Sequence, residues 1–552
     1  MNGEGPEFPS GEAGEAPEFP SGEAGESPEF PSGEAGEAPE SPSGEAGEAP
    51  ESPSGEAGEA PEFLGLGGRL GAAAGEELVA AGFAAEMADA YLLHDGFGLA
   101  DIGHVLALAD LGVLPPDDAA ALLAALLEMV AVPPEEFPYD AAYGDPWNSR
   151  ERYLEAKAGS RAGWLTVGRP RREAARVALR IALRRSVLHA HSALVRLGEA
   201  YLTLARRHRN TLMADFTYLQ PAQPTTLGYV LAGHAQPVLR HLMRLENAYT
   251  WVNRSPAGAG GTTGSSLPLD RELLASRLGF YGVIPHARDA MWQADGLVDL
   301  LATLAALATE AGQVAADLEI WASPAYGFVD LADEYCRVSA LMPQKKNPYA
   351  LAVIRHAGGS AAGALAGLLG ILRTGSARTD HFLSTAGDVQ RALVTVTGAV
   401  NLLAGVVSTL HVNRPALARS AADPGLVLAD LADGIVGHGL GDRRTVHQLL
   451  GLAARRAADA GRPVTGDDVV AALGEAGIEV PAGVLAALDD PRAVLAGRTV
   501  TGGWARLPEL LTASGRELGR RRRACTALRA AVEGAEEALL AEAEAHARGG
   551  SA

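Results

Sequence analysis

The chain has 552 residues, 47% of them hydrophobic, and a formal charge of -22, which is ample apolar content for a large core. The charge is concentrated: residues 1–62 hold 17 Glu and no Asp, Lys or Arg, so everything after them carries only -5. No basic face is left for nucleic acid or for an anionic membrane, and both partner classes are excluded.

Residues 1–62 repeat an 11-residue unit, Pro6-Glu-Phe-Pro-Ser-Gly-Glu-Ala-Gly-Glu-Ala16, restarting at Pro17, Pro28, Pro39 and Pro50. Like charges repel, and little but Phe8, Phe19 and Phe30 is large and apolar, so nothing offsets the entropy of ordering. The segment reads as a disordered acidic tail. From Phe63 onward, i, i+3, i+4 apolar spacing predicts helices over 76–92, 98–111, 117–130, 170–208, 224–253, 289–321, 345–373, 387–410, 442–460 and 514–545. The fold class is all-α. Long helices that are apolar on more than one side predict a bundle shared between subunits. The expected units are an N-terminal helical domain (63–165), a central long-helix bundle (166–410) and a C-terminal helical domain (411–552). Only Cys336 and Cys525 are present, too few for a disulfide framework or a zinc cluster. With no apolar run of membrane-spanning length, a cytoplasmic protein is expected.

Three polar segments lie between the long helices. Thr166-Val-Gly-Arg-Pro-Arg-Arg-Glu173 opens a helix with three Arg, namely Arg169, Arg171 and Arg172; it reads either as an anion site or as an exposed basic turn. Asp215-Phe-Thr-Tyr-Leu-Gln-Pro-Ala-Gln-Pro-Thr-Thr226 leads into another helix. Ser339-Ala-Leu-Met-Pro-Gln-Lys-Lys-Asn-Pro348 holds two of the three lysines among 46 basic side chains. A helix N-terminus favours a carboxylate, and an ammonium can stabilise a carboxylate becoming an enolate. Convergence of the three segments would build a site for a small polyanion.

The third segment resembles the G-S-S-x-M-P-x-K-x-N signature of the aspartase/fumarase superfamily. Thr217-Tyr-Leu-Gln-Pro-Ala-Gln-Pro-Thr-Thr226 is similar to its T-H-x-Q-x-A-x-P block. Leu245 to Pro256, Gly258-Ala-Gly260 and Pro268-Leu-Asp-Arg271 resemble argininosuccinate lyases, as do Gly67-Gly-Arg69 and 101–114. The resemblance implies a homotetramer with a 20-helix core, each active site assembled from three subunits, and elimination from a succinate skeleton to give fumarate. Ser339 would be the general base, with Lys345 and Asn347 holding the carboxylate beside the carbon that loses its proton. Thr217 and Arg171 would bind substrate carboxylates, and Tyr218, Arg169, Arg172, Gln223 and Met342 would complete the substrate site. A metal or organic cofactor is not implied.

Departures from the family pattern bear on the leaving group. Tyr218 stands where the block has His, Arg172 where argininosuccinate lyases have Asn, and Arg373-Thr-Gly-Ser-Ala-Arg-Thr-Asp380 where arginine would be faced. Loss of a general acid costs an amine leaving group about 10² to 10⁴ in rate. A weakly basic anion needs no such acid, and an added cation suits a nitro group. Nitrite is such an anion and the superfamily that the chain resembles includes nitrosuccinate lyases, so the expected reaction is nitrosuccinate to fumarate and nitrite. An N-substituted aspartate, a muconate cycloisomerisation and, more remotely, a non-catalytic structural role stay open.

Overall fold

The computed structural model describes residues 72–549; the acidic repeat and Gly67-Gly-Arg69 lie outside them. We label ten helices: α1 Ala90–Asp110, α2 Pro116–Val130, α3 Pro146–Ala158, α4 Arg171–Arg207, α5 Leu227–Val252, α6 Asp295–Ala322, α7 Tyr349–Ile371, α8 Thr385–Thr409, α9 Arg443–Asp459 and α10 Leu507–Gly549. The expectation of an all-α chain holds, with helices supplying almost all the regular structure. Strands are confined to three two-stranded pairs among the described residues.

Helices α4 to α8 form the bundle. α6 packs on α7, α4 on both α5 and α8, and α7 on α8. α6 and α8 are long and apolar enough to cross a membrane, but half or more of their most apolar windows is buried within the chain. Their apolar faces are the core of the bundle.

α4 carries a row of arginines four residues apart, Arg172, Arg176, Arg180 and Arg184, which share one face of the helix. Arg180 donates to the carbonyl of Trp251 (2.6 Å) and lies over its ring, Arg184 donates to Leu278 (2.6 Å), and Arg176 to Met291 (3.1 Å). Those carbonyls close the last turns of helices that have no further backbone donor to offer them. The row therefore caps three other segments and fixes them along α4.

Ahead of α4, the fully buried Asp101 on α1 receives Arg150 of α3 (3.2 Å) and Arg169 (2.6 Å), both buried. Arg169 also donates to the carbonyls of Ala100 and Leu165. The helices expected over 76–92 and 98–111 are separate, but the break falls earlier, at 88–89: helical turns run over 76–87 and α1 begins at Ala90. Its glycines serve packing: a Cβ on Gly96 would lie 2.5 Å from the carbonyl oxygen of Ala178.

The apolar core is divided differently from the expected units. One cluster runs from Leu93 to Leu417 and takes in Leu507 to Ala543 of α10. A second, smaller cluster holds Val427 to Leu488. The segment 411–552 thus contributes to two cores, because α10 returns to pack on α2, α4 and α5.

Replacing Asp101 by Ala leaves two buried guanidinium groups without their carboxylate, an effect of about 3–5 kcal/mol. Urea unfolding should show a lower midpoint with an unchanged slope, whereas Arg152→Ala, which breaks an exposed pair with Glu155, should shift it by less than about 1 kcal/mol.

Candidate active-site segments

Two short strands pinch the Ser339 to Pro348 segment into a loop. Arg337 pairs with Asn347 and Val338 with Lys346, and the Asn347 side-chain amide donates to the Arg337 carbonyl (3.0 Å). At the head of the loop the Met342 N–H donates to Ser339 Oγ at 3.0 Å. A donor aimed at that oxygen favours its alkoxide form. The neighbouring lysines separate sharply. Lys346 is tied to Asp330 (3.0 Å), Asp333 (2.9 Å) and the Leu331 carbonyl (2.6 Å), and these contacts, Asp333 foremost, raise its pKa. Lys345 is exposed and enters none of the ion pairs among the described residues.

The Thr217 segment is a β-hairpin, which the helical reading of the chain did not foresee. β1 (Leu212–Thr217) and β2 (Gln220–Thr226) are antiparallel, with Tyr218 and Leu219 at the tip. Both tip residues have positive φ, 55° and 58°, as the tightest hairpin turns require. Thr217, Gln223 and Tyr218 are exposed, Tyr218 at 98%. Phe216 packs edge-on against Tyr326 below the tip.

At the start of α4 the three arginines have three fates. Arg169 is buried on Asp101, and its guanidinium is engaged in the interior by an ion pair and two carbonyls. Arg172 forms a two-pronged pair with Glu86 (3.0 and 3.3 Å) beside the ring of Phe382. Arg171 is more exposed and only loosely held by Asp145 (3.3 Å). Glu173 accepts the N–H groups of Gly258 (2.7 Å) and Gly260 (2.5 Å), both at positive φ. Burial lifts its pKa to about 7 in spite of Arg169 and those donors. The end of the 373–380 segment arrives here too, with His381 Nε2 2.6 Å from Arg176. A cavity lined by Glu86, Asp145, Arg171, Arg172, Arg176 and Phe382 lies between them. Glu86, Arg176 and Phe382 were not singled out by sequence reasoning, and only the i+4 spacing of the arginines could have flagged one of them.

The three segments do not meet in one chain. Arg171 opens α4 and the hairpin follows its other end, and a helix of 37 residues is about 55 Å long. The signature loop lies toward the hairpin end: Tyr326, just ahead of it in the chain, contacts Leu219, whereas the far end of α7 leads to His381 beside Arg176. What one chain presents is two separate parts, a loop and hairpin at one end of the bundle and a charged cavity at the other.

The long-helix bundle with its charged polar segments defines a lyase, and comparison with known proteins supports that class. The chain belongs to the Lyase family of the aspartase/fumarase superfamily, whose family description matches residues 103–363. An argininosuccinate lyase of Methanoculleus marisnigri is 32% identical over 460 residues, covering 81% of this chain and 92% of the relative. Another, of Natronomonas pharaonis, is 35% identical over 372 residues, or 65% and 72%. An EDDS lyase crystallised with formate shares the fold, with a TM-score of 0.76 and 24% identity over 87% of this chain and 97% of that one.

Burial, and then Arg176, hold His381 down to about 4. The unfolded chain takes up that proton near pH 6.5, so this contribution to stability is complete above about pH 6.5 and disappears as the pH falls toward 4. Urea midpoints measured across that window should fall less steeply for His381→Gln than for the wild type.

Proposed function

We propose that the protein is a fumarate-releasing carbon–nitrogen lyase acting on a substituted succinate. The observation that carries this reading is the loop that presents Ser339 Oγ to the Met342 N–H and leaves Lys345 exposed, outside the ion pairs among the described residues, while Lys346 is tied down. In this reading Ser339 removes the C3 proton, and Lys345 with Asn347 stabilises the dianionic carboxylate that results. The electron pair then forms the double bond as the C–N bond breaks. Arg171, the most loosely held of the three arginines at the start of α4, binds a substrate carboxylate, as do Thr217 and Gln223. The separation of Arg171 from Thr217 by the length of α4 supports sites built between subunits, in a homotetramer as the family resemblance implies.

For the leaving group we propose nitrite, from nitrosuccinate, on the strength of Tyr218: the position at the tip offers no imidazole to protonate a departing amine. A second reading, an N-substituted aspartate, is favoured by the Arg172 to Glu86 pair. That pair cancels the added positive charge that would have suited a nitro group, and it borders a cavity with an aromatic wall.

Incubation of the purified protein with nitrosuccinate should give fumarate absorbance and equimolar nitrite. Fumarate from N-substituted aspartates with no nitrite from nitrosuccinate would select the second reading, and fumarate from neither would reject both. Ser339→Ala and Lys345→Met should each lower kcat by about 10² to 10⁴, with Lys346→Met reducing it by less than about tenfold.

A further inference from the structure

The hairpin is exposed at its tip and buried at its base, where Met213, Ala214, Thr225 and Thr226 have at most 4% of their surface open. What covers the base comes from far along the chain. Arg498 grips the Asp430 carboxylate with Nε and Nη2 (2.9–3.3 Å) and donates from Nη1 to the carbonyl of Pro224 in β2 (3.2 Å). Trp504 Nε1 donates to Thr226 Oγ1 at 3.0 Å. That hydroxyl is also the N-cap acceptor of α5, receiving the Tyr229 N–H at 3.3 Å. Tyr229 returns the connection by donating its hydroxyl to the Gly502 carbonyl (2.7 Å).

β2 needs such support because of its own composition. Pro221 and Pro224 have no N–H, and the pairing with β1 slips between Asp215 and Phe216, so the ladder alone holds the strand weakly. Pro224 still has a carbonyl, and Arg498 is the group that takes it. A guanidinium suits this task because one fork can hold a carboxylate while the remaining nitrogen reaches a third oxygen. Asp430 fixes where that fork points.

We propose that Arg498, oriented by Asp430, and Trp504 are positioning residues that set the tilt of the hairpin and so the placement of Thr217 and Gln223 against substrate. Neither residue reaches the tip; both act through the base. The inference rests on the reading that Thr217 and Gln223 bind substrate. It assigns the 427–504 part of the chain, which bears none of the catalytic segments, a role in aiming one of them. Displacement of a substrate-binding group by about 1 Å costs about 10²-fold in rate.

The test uses the full chain and four variants. Arg498→Gln and Trp504→Phe are each expected to speed amide hydrogen exchange across Met213–Thr226 and to lower kcat/KM tenfold or more on whichever succinate derivative the wild type eliminates. Arg498→Lys, which keeps a charge for Asp430 but loses the fork, should recover part of both. Arg456→Gln breaks an exposed pair with Glu475 in the same region (2.7 Å) and should change neither. Unchanged exchange in the hairpin, or faster exchange with kcat/KM within twofold of wild type, overturns the proposal. Trp504→Phe keeps the test open should Arg498→Gln fail to fold. A wild type that eliminates no succinate derivative defeats the functional reading instead, and the exchange data alone then decide whether the clamp exists.

Discussion

The length of α4 is the constraint on which the rest depends. A straight helix of 37 residues keeps its ends about 55 Å apart, and the arginine row along it holds other segments at fixed heights. Arg180 takes the end of α5, Arg184 the turn after 271–277, and Arg176 the 287–292 helix. Each contact satisfies carbonyls that a helix end leaves open, so the row sets the register of the bundle as well as its cohesion. It also fixes the division of polar groups, with a charged cavity at the start of α4 and the loop and hairpin at the other end.

The chain's use of arginine follows the same logic. A guanidinium stays charged when buried and offers several donors in one plane, so a single side chain can bridge an acid and carbonyls. Arg169 does this between Asp101, Ala100 and Leu165, and Arg184 between Leu278 and Glu536. An ammonium is a point charge and serves where geometry is less prescriptive. The two lysines of the signature loop differ in how that charge is used: Lys346 binds the loop to its flank, and Lys345 is exposed and enters none of the ion pairs among the described residues.

Much of this was legible in the sequence. Apolar periodicity located the long helices because their buried faces are continuous, and the signature segment stood out because lysine is scarce. The hairpin was not legible: prolines in β2 and a Tyr-Leu tip contradict the usual strand and turn signals, and its base is held by side chains between residues 420 and 504. α3 was missed because its buried residues include Asn148, Ser149, Arg150 and Glu151, which no hydrophobic pattern reveals. The family resemblance supplied positions for Arg169, Arg171 and Arg172 but not their partners. Glu86 and Asp101 lie 86 and 68 residues from Arg172 and Arg169, and only the folded chain shows which guanidinium remains available.

The hairpin tip has a bearing on attempts to make this protein more robust. Two side chains with a Cβ sit in the left-handed region at Tyr218 and Leu219, at about 1–2 kcal/mol each. An Asn-Gly pair would relieve that strain, and a designer guided by backbone preference alone would choose it first. The exchange would erase the one side chain at the tip that departs from the superfamily's histidine. If Tyr218 contacts the substrate as proposed above, thermostability and substrate choice compete at the same two positions, and stabilising substitutions are better sought along the exposed faces of α9 and α10.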